Sequence, residues 1–315
     1  MRPETFTPEE VLRQIAATPK YRHIAPETVL RLAAAELAKR RSPREAVKAV
    51  KNKLHQIYAA YVSPQELRRL ERLLGELERS GAATVAPWAA SVLEVCETAL
   101  RIHNSTGERL PYYREFYRRI FALTGTPGRI LDVACGLNPF SIPYMELPAR
   151  AHYIGCDIDG LAIGYANRFL AAIGWPGEGR VQDVTVRCPE DPADLALVLK
   201  FLPVLEQQAP GRSLALLQGL RTRYLAVSFP LTSLGGRGKG MGRHYRQQYG
   251  EMLTTHFRLL GQFELPTELV YVLENRPPAG GPAGGSGITP ATRDNPEVRS
   301  HGNPLRGRHS HRQPC

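Results

Sequence analysis

Arg129-Ile-Leu-Asp-Val-Ala-Cys-Gly-Leu-Asn-Pro139, followed after a helix-sized gap by Tyr153-Ile-Gly-Cys-Asp157, is the stretch on which the fold turns. An apolar run ends in three small residues, and a second apolar run ends in an acid. The order is strand, tight turn, strand, with a carboxylate at the second strand's end. Small side chains at Ala134, Cys135 and Gly136 let the backbone approach a ligand, and Asp157 stands where one carboxylate can accept from both hydroxyls of a ribose. Asp132-Val-Ala-Cys-Gly136-Leu-Asn138 has one glycine where the dinucleotide fingerprint G-x-G-x-x-G has three, so no pyrophosphate cradle is evident. The cofactor expected here is a nucleoside without a phosphate, a description that S-adenosylmethionine meets.

From residue 129 onward, strand and helix patterns alternate. That rhythm predicts an α/β fold, a parallel-rich Rossmann-like sheet with helices on both faces. Strands are expected at 129–134, 152–156, 180–184, 194–199, 223–229 and 269–274, with helices near 160–173, 203–219 and 243–260. Upstream, 7–18 and 26–40 read as helices, 65–79 as a charged helix and 87–102 as an apolar one. Residues 111–123 read as an aromatic helix carrying Tyr112, Tyr113, Phe116, Tyr117 and Phe121. The last 40 residues hold 7 Gly and 7 Pro with few apolar positions, a composition expected of a disordered tail.

A chain of 315 residues, 43% of them hydrophobic, can bury one large core and a smaller unit. No apolar run approaches the ~18 residues of a membrane span. The five cysteines lie far apart with no C-x-x-C pair, which favours a reducing cytoplasm and argues against structural zinc. The net charge of +11 is uneven. Residues 1–75 carry 15 Lys/Arg against 8 Asp/Glu, residues 276–315 carry 6 against 2, and the middle carries 20 of each. A neutral body between basic flanks suggests chemistry in the middle and a polyanion at the ends, although basic stretches can also serve solubility alone.

Ser42-Pro43-Arg44-Glu45 is a helix start, with Ser42 as N-cap and Glu45 completing a capping box. Val47, Val50, Leu54, Ile57 and Tyr61 then recur at helical spacing as a buried stripe. Arg44, Lys48, Lys51 and His55 fall on another face, a basic ladder that could track RNA phosphates or be a solvated face. These readings divide the chain into a helical, RNA-binding 1–75, a catalytic 76–275 and the tail 276–315.

Three longer motifs carry a family resemblance: His103-Asn-Ser-Thr-Gly-Glu-Arg109-Leu-Pro-Tyr-Tyr113, Leu131-Asp-Val-Ala-Cys-Gly-Leu-Asn-Pro139, and Ser228-Phe-Pro-Leu-Thr-Ser-Leu-Gly-Gly-Arg-Gly-Lys-Gly-Met241. Across about residues 20–275 the chain resembles the 16S rRNA guanine-N7 methyltransferases that confer aminoglycoside resistance. It looks most similar to the members of aminoglycoside-producing actinomycetes. The resemblance implies a class I S-adenosylmethionine-dependent methyltransferase fold behind a small helical N-terminal domain. It also implies methylation of N7 of guanine 1405 of 16S rRNA in the 30S subunit, and a cytoplasmic protein with no membrane or metal partner.

The resemblance also assigns roles. Arg109 anchors the methionine carboxylate, flanked by His103 and Ser105, and Ala134 passes its backbone against the methionine portion. Asp157 holds the ribose, Asp183 accepts from the adenine amine, and Val184 packs on the ring. Leu199 and Gln208 (or its neighbour Gln207) line the cofactor side. Arg237, Lys239 and Arg243, in and after a glycine-rich stretch that is not a P-loop, are candidates for gripping phosphates, with Phe229 or Tyr245 stacking the target base. No general base is expected, because guanine N7 has no proton to lose. Other readings are methylation of another rRNA base such as adenine N1, a non-catalytic ribosome-binding protein, and a nicotinamide oxidoreductase. Cys135 as a covalent nucleophile is disfavoured by its place inside the turn.

Overall fold

Strand β1 (Arg129–Val133) lies mid-sheet, with β2 (His152–Asp157) on one side and β4 (Ala193–Leu199) on the other. The computed structural model describes residues 6–39, 42–57, 64–81, 89–231 and 241–275, which fall within one unit spanning Met1–Arg276. The remaining strands are β3 (Gly177–Val181), β5 (Thr222–Pro230), β6 (Arg258–Leu265) and β7 (Glu268–Glu274). Their order is β3-β2-β1-β4-β5-β7-β6, with β1 to β5 parallel and β7 antiparallel to both β5 and β6.

Alternation along the central strands explains why both faces are covered. Ile130, Leu195, Leu197, Val270 and Val272 face one apolar cluster; Leu131, Ala196, Val198, Leu269 and Tyr271 face the other. A strand buried on both faces needs helices on both. The first face is covered by α4 (Pro64–Arg79), α5 (Ala90–Ile102), α7 (Tyr113–Thr124) and α8 (Gly160–Ala172). The second is covered by α9 (Leu202–Gln208), α10 (Arg212–Gly219) and α12 (Glu251–His256). Helix α6 (Asn104–Arg109) links α5 to a 3-10 turn ahead of α7, and α11 (Met241–Tyr245) joins α12 through a π-helical turn.

Helices α1 (Pro8–Ala16), α2 (Pro26–Leu37) and α3 (Pro43–Ile57) bury a core of their own, in which Val11, Ile15, Leu32, Val50 and Leu54 meet. The capping box of α3 forms as the sequence requires: the Ser42 N–H donates to Glu45 at 3.0 Å, and the Glu45 N–H donates to Ser42 Oγ at 3.4 Å. Apolar contacts divide between α3 and α4, since Leu70, Leu74 and Leu77 of α4 belong to the main core. Tyr61 and the tail lie outside the described residues. Among the described residues no helix is long and apolar enough to cross a membrane.

Three expectations change. The third strand runs 177–181 rather than 180–184, because Gly-Glu-Gly-Arg-Val is a half-covered edge strand without an apolar run. The helix expected over 203–219 is two, broken where Gly211 takes the left-handed φ of 79°. The helix expected to reach residue 260 ends at His256, and Arg258–Leu265 is an edge strand whose alternation is interrupted by a bulge between Leu259 and Gly261.

Candidate active site

In parallel register, Val133 sits beside Cys156 and beside Val198, so the residues next after these three meet at the carboxyl ends of the strands. Ala134, Asp157 and Leu199 are thereby adjacent. The strand order reverses at β1, and the crevice beyond such strand ends is where open α/β sheets bind ligands. A cavity of about 330 Å³ opens there. His103, Ser105, Ala134, Asp157, Asp183, Val184, Leu199 and Gln208 all line it, whereas Gln207 is exposed to solvent. Two lining residues that are not glycine have left-handed backbones, Ala134 at φ 55° and Lys200 at φ 56°. Such strain gathers at binding sites that the surrounding structure holds in place.

The turn is built to present Asp157. Gly136, at φ 50°, donates its N–H to Asp157 Oδ2 at 2.8 Å, and the Asp159 N–H donates to Oδ1 at 2.8 Å. Burial, reinforced by the Asp159 charge, pushes the Asp157 carboxyl up to about 6. A side chain at position 136 would press on His103, which lies 3.2 Å from where a Cβ would stand. Burial holds His103 below its usual value against the pull of Asp159. Cys135 is buried, and burial raises its thiol well above the usual range, the opposite of an activated nucleophile.

Asp132 lies beneath the turn in a buried polar knot. It accepts from Asn138 Nδ2 at 2.7 Å and from the Tyr153 hydroxyl, and burial pushes its carboxyl up to about 6. Asn138 Oδ1 in turn accepts from the Tyr113 hydroxyl at 3.0 Å.

The structure places Arg109 elsewhere than expected. It is 2% exposed and does not line the cavity. Its Nε and a terminal nitrogen donate to the two oxygens of Glu268 at 2.8 and 2.6 Å, and the other terminal nitrogen faces Asn138 Oδ1 at 3.5 Å. The fork that was to take a cofactor carboxylate is engaged by a carboxylate of the protein. Burial opposes the Arg109 charge but Glu268 outweighs it; the same pairing holds the Glu268 carboxyl below its usual value despite burial. Beside the pair, Lys200 donates to Glu108 at 2.7 Å.

Asp183 is in the cavity wall, but its carboxylate is also occupied. Arg31 of α2 donates through Nε and a terminal nitrogen to Oδ2 at 3.2 and 3.0 Å, and Thr185 donates its N–H and hydroxyl to Oδ1 at 2.8 and 2.6 Å. Burial works against the ionised form, yet Thr185 and Arg31 hold this carboxyl below its usual value. The same terminal nitrogen of Arg31 donates to Gln208 Oε1 at 3.0 Å. Gln56 and Ile57 at the end of α3 line the cavity as well. The sequence reading missed all three residues: nothing in the spacing of α2 or α3 says which face meets the sheet.

The helical unit reaches the crevice by backbone contact. The Ala25 N–H donates to the Ile158 carbonyl and the Gly160 N–H to the His23 carbonyl, both at 2.8 Å. A Cβ on Gly160 would lie 2.8 Å from that His23 oxygen, so only glycine allows the approach.

On the other face of α3, Arg44 and Lys48 are exposed and Lys51 and His55 half-buried; His55 Nδ1 lies 3.0 Å from Lys20 Nζ. Arg237 and Lys239 lie outside the described residues, and Arg243 is exposed on α11. Phe229 is not presented to solvent for a base to stack on. It is fully buried, packed between Tyr245, Tyr249 and Tyr271, because it points to the second face of β5. Tyr245, stacked on it at 5.3 Å, is half-buried.

Comparison with known proteins matches this architecture. The pattern of the ribosomal RNA methyltransferase (FmrO) family covers residues 17–272. A 16S rRNA (guanine(1405)-N(7))-methyltransferase of Frankia casuarinae is 38% identical over 84% of this chain and 93% of its own. One from Serratia marcescens is 37% identical over 84% and 97%. Among solved structures, the 16S rRNA methyltransferase RmtF in complex with S-adenosyl-L-homocysteine superposes with a TM-score of 0.74 at 32% identity, covering 88% of this chain and all of that one. Family pattern, sequence relatives and three-dimensional likeness agree, each over most of the chain: the chain belongs to the ribosomal RNA methyltransferase (FmrO) family.

Proposed function

We propose that this chain transfers a methyl group from S-adenosylmethionine to N7 of guanine 1405 of 16S rRNA, acting on the 30S subunit in the cytoplasm. The modification gives resistance to aminoglycosides with a 4,6-linked deoxystreptamine, such as kanamycin and gentamicin. The observation that carries this reading is the crevice at the β1, β2 and β4 ends. It presents the Asp157 carboxylate beside a small-residue turn, in a chain of this family.

The residues present fit a phosphate-free nucleoside. Asp157 keeps acceptor capacity for ribose hydroxyls beyond its two backbone donors. Val184 and Leu199 offer apolar contact to a purine, and His103, Ser105 and the strained Ala134 backbone line the remainder, where the methionine portion lies. When bound, S-adenosylmethionine supplies a methyl group on a sulfonium, an electrophile open to a neutral lone pair. Guanine N7 offers that lone pair and no proton, so no side chain is needed as general base. The protein contributes placement and exclusion of water. The basic face of α3 (Arg44, Lys48, Lys51 and His55), with Arg237, Lys239 and Arg243, holds rRNA phosphates while the target base is drawn out of its stack.

Resistance tests the choice of base. Methylation at N7 removes an acceptor and fixes a positive charge where a polycationic drug would bind. Losing one charge-assisted bond and adding repulsion costs several kcal/mol, roughly a hundredfold in affinity. A sensitive bacterium expressing the chain should resist kanamycin and gentamicin and stay sensitive to apramycin, which lacks the 4,6-linked ring. Strong apramycin resistance would point instead to a neighbouring decoding-site adenine.

A further inference from the structure

Helix α2 belongs by packing to the N-terminal helical core, yet one of its side chains crosses to the cofactor crevice. Arg31 is only a quarter exposed, and its partners Asp183 and Gln208 both line the cavity. Glu27, one turn earlier on the same face, accepts the Asp183 backbone N–H at 2.6 Å. Thr28 between them is fully buried. Asp183 is thus gripped at its backbone by Glu27 and at its carboxylate by Arg31. Gln208 is fixed too. With its Oε1 on Arg31 and its Nε2 on the Val204 carbonyl at 3.4 Å, the orientation of its amide is set.

We propose that Arg31 is a positioning residue of the cofactor site, holding Asp183 and Gln208 as a pair of acceptors for the 6-amino group of the purine. The N-terminal helices are then part of adenine recognition and not only of RNA recognition.

The acceptor arithmetic supports the pairing. A carboxylate offers about four lone-pair sites. Arg31 takes two on Oδ2 and Thr185 takes two on Oδ1. The Thr185 hydroxyl can turn aside by rotating about a single bond. Among the described residues Gln208 Oε1 accepts from Arg31 alone, which leaves it a lone pair beside the cavity. An exocyclic amine, with two protons to donate, matches two neighbouring acceptors; a 6-oxo purine presents an acceptor of its own to the same atoms and is repelled. A guanidinium can reach both partners with one planar fork, whereas an ammonium cannot hold the same geometry.

This inference rests on placing the purine against Asp183, and the experiment separates the two claims. Binding of S-adenosylhomocysteine and of S-inosylhomocysteine is measured by calorimetry on the full chain, for wild type, Arg31→Ala, Arg31→Lys and Asp183→Asn. Wild type should prefer the 6-amino ligand. Arg31→Ala should weaken S-adenosylhomocysteine by about tenfold, on the scale of one charge-assisted bond, and reduce the preference by a similar factor while changing S-inosylhomocysteine little. Arg31→Lys should fall between. A purely structural loss would weaken both ligands equally, so the ratio remains informative even for a destabilised variant. If Asp183→Asn collapses the preference and Arg31→Ala does not, the positioning role is refuted and the purine placement stands. If neither variant changes the ratio, both are refuted.

Discussion

Replacing Arg109 by Met removes the charge but keeps most of the volume, leaving Glu268 fully buried with, among the described residues, the Ser228 hydroxyl as its remaining short-range donor. Breaking a buried pair by deleting one partner costs about 3–5 kcal/mol, because the remaining charge has lost its solvent and its counter-ion. At roughly 2–4 °C per kcal/mol for a unit of this size, the melting temperature should fall by about 6–20 °C. The pH dependence has a definite sign. In the native protein Arg109 depresses the Glu268 carboxyl, so the pair's contribution is present above the unfolded value of about 4.3 and is lost as pH falls through the folded value. In the variant burial, the largest influence, is opposed only by the Ser228 hydroxyl and the more distant Lys200 charge and raises the folded value, so Glu268 costs stability as pH rises through it. The gap between the two proteins should therefore narrow on acidification. Removing both charges, Arg109→Met with Glu268→Gln, should recover much of the loss. The assay is scanning calorimetry at several pH values, with S-adenosylmethionine affinity measured in parallel. A single variant that melts within about 2 °C of wild type yet loses cofactor affinity would refute the reasoning and restore Arg109 as a cofactor anchor.

Further outcomes are expected. Asp157→Ala should weaken S-adenosylmethionine by about 10- to 150-fold, the loss of charge-assisted contacts worth about 1.5–3 kcal/mol, with little change in melting. Ribose hydroxyls donate to the ionised carboxyl, so wild-type affinity should fall as pH drops below about 6, and calorimetry should find this dependence gone in Asp157→Asn. Gly160→Ala should destabilise the protein by about 1–3 kcal/mol, as overpacking does, since the new methyl meets the His23 carbonyl at 2.8 Å; an unchanged denaturation midpoint would refute that contact. Lys48→Glu with Lys51→Glu should weaken 30S binding and make its logarithmic salt slope shallower by about 2, leaving cofactor affinity unchanged; an unaltered slope would make the α3 face a solvated one.

How much could be read in advance depended on where the signal resides. Ala134, Gly136 and Asp157 stand out because a turn that admits a ligand needs small side chains, and the strand, turn, strand order puts an acid beside that turn, although such an acid can also serve the turn itself. The interior strands were legible because two-sided burial demands apolar runs. The edge strands β3 and β6 were misplaced or missed because half-covered strands need no such run. Arg109, Phe229 and Arg31 show a different limit. Local sequence gives a side chain's chemistry but not its partner, and these three find theirs at Glu268, Tyr245 and Asp183, two of them more than 150 residues along the chain. An arginine suited to a carboxylate was recognised as such, but which carboxylate was decided by the fold, which brings Glu268 at the start of β7 to it. The contribution of α2 to the crevice was invisible for the same reason.

Purified 30S subunits incubated with tritiated S-adenosylmethionine and this protein, with the labelled nucleotide then mapped and identified by mass spectrometry, test the central claim most directly. The account predicts a single 7-methylguanine at position 1405 of 16S rRNA, abolished in Asp157→Ala. Label on an adenine of the decoding site, or no transfer by a folded protein that binds the cofactor, would contradict it.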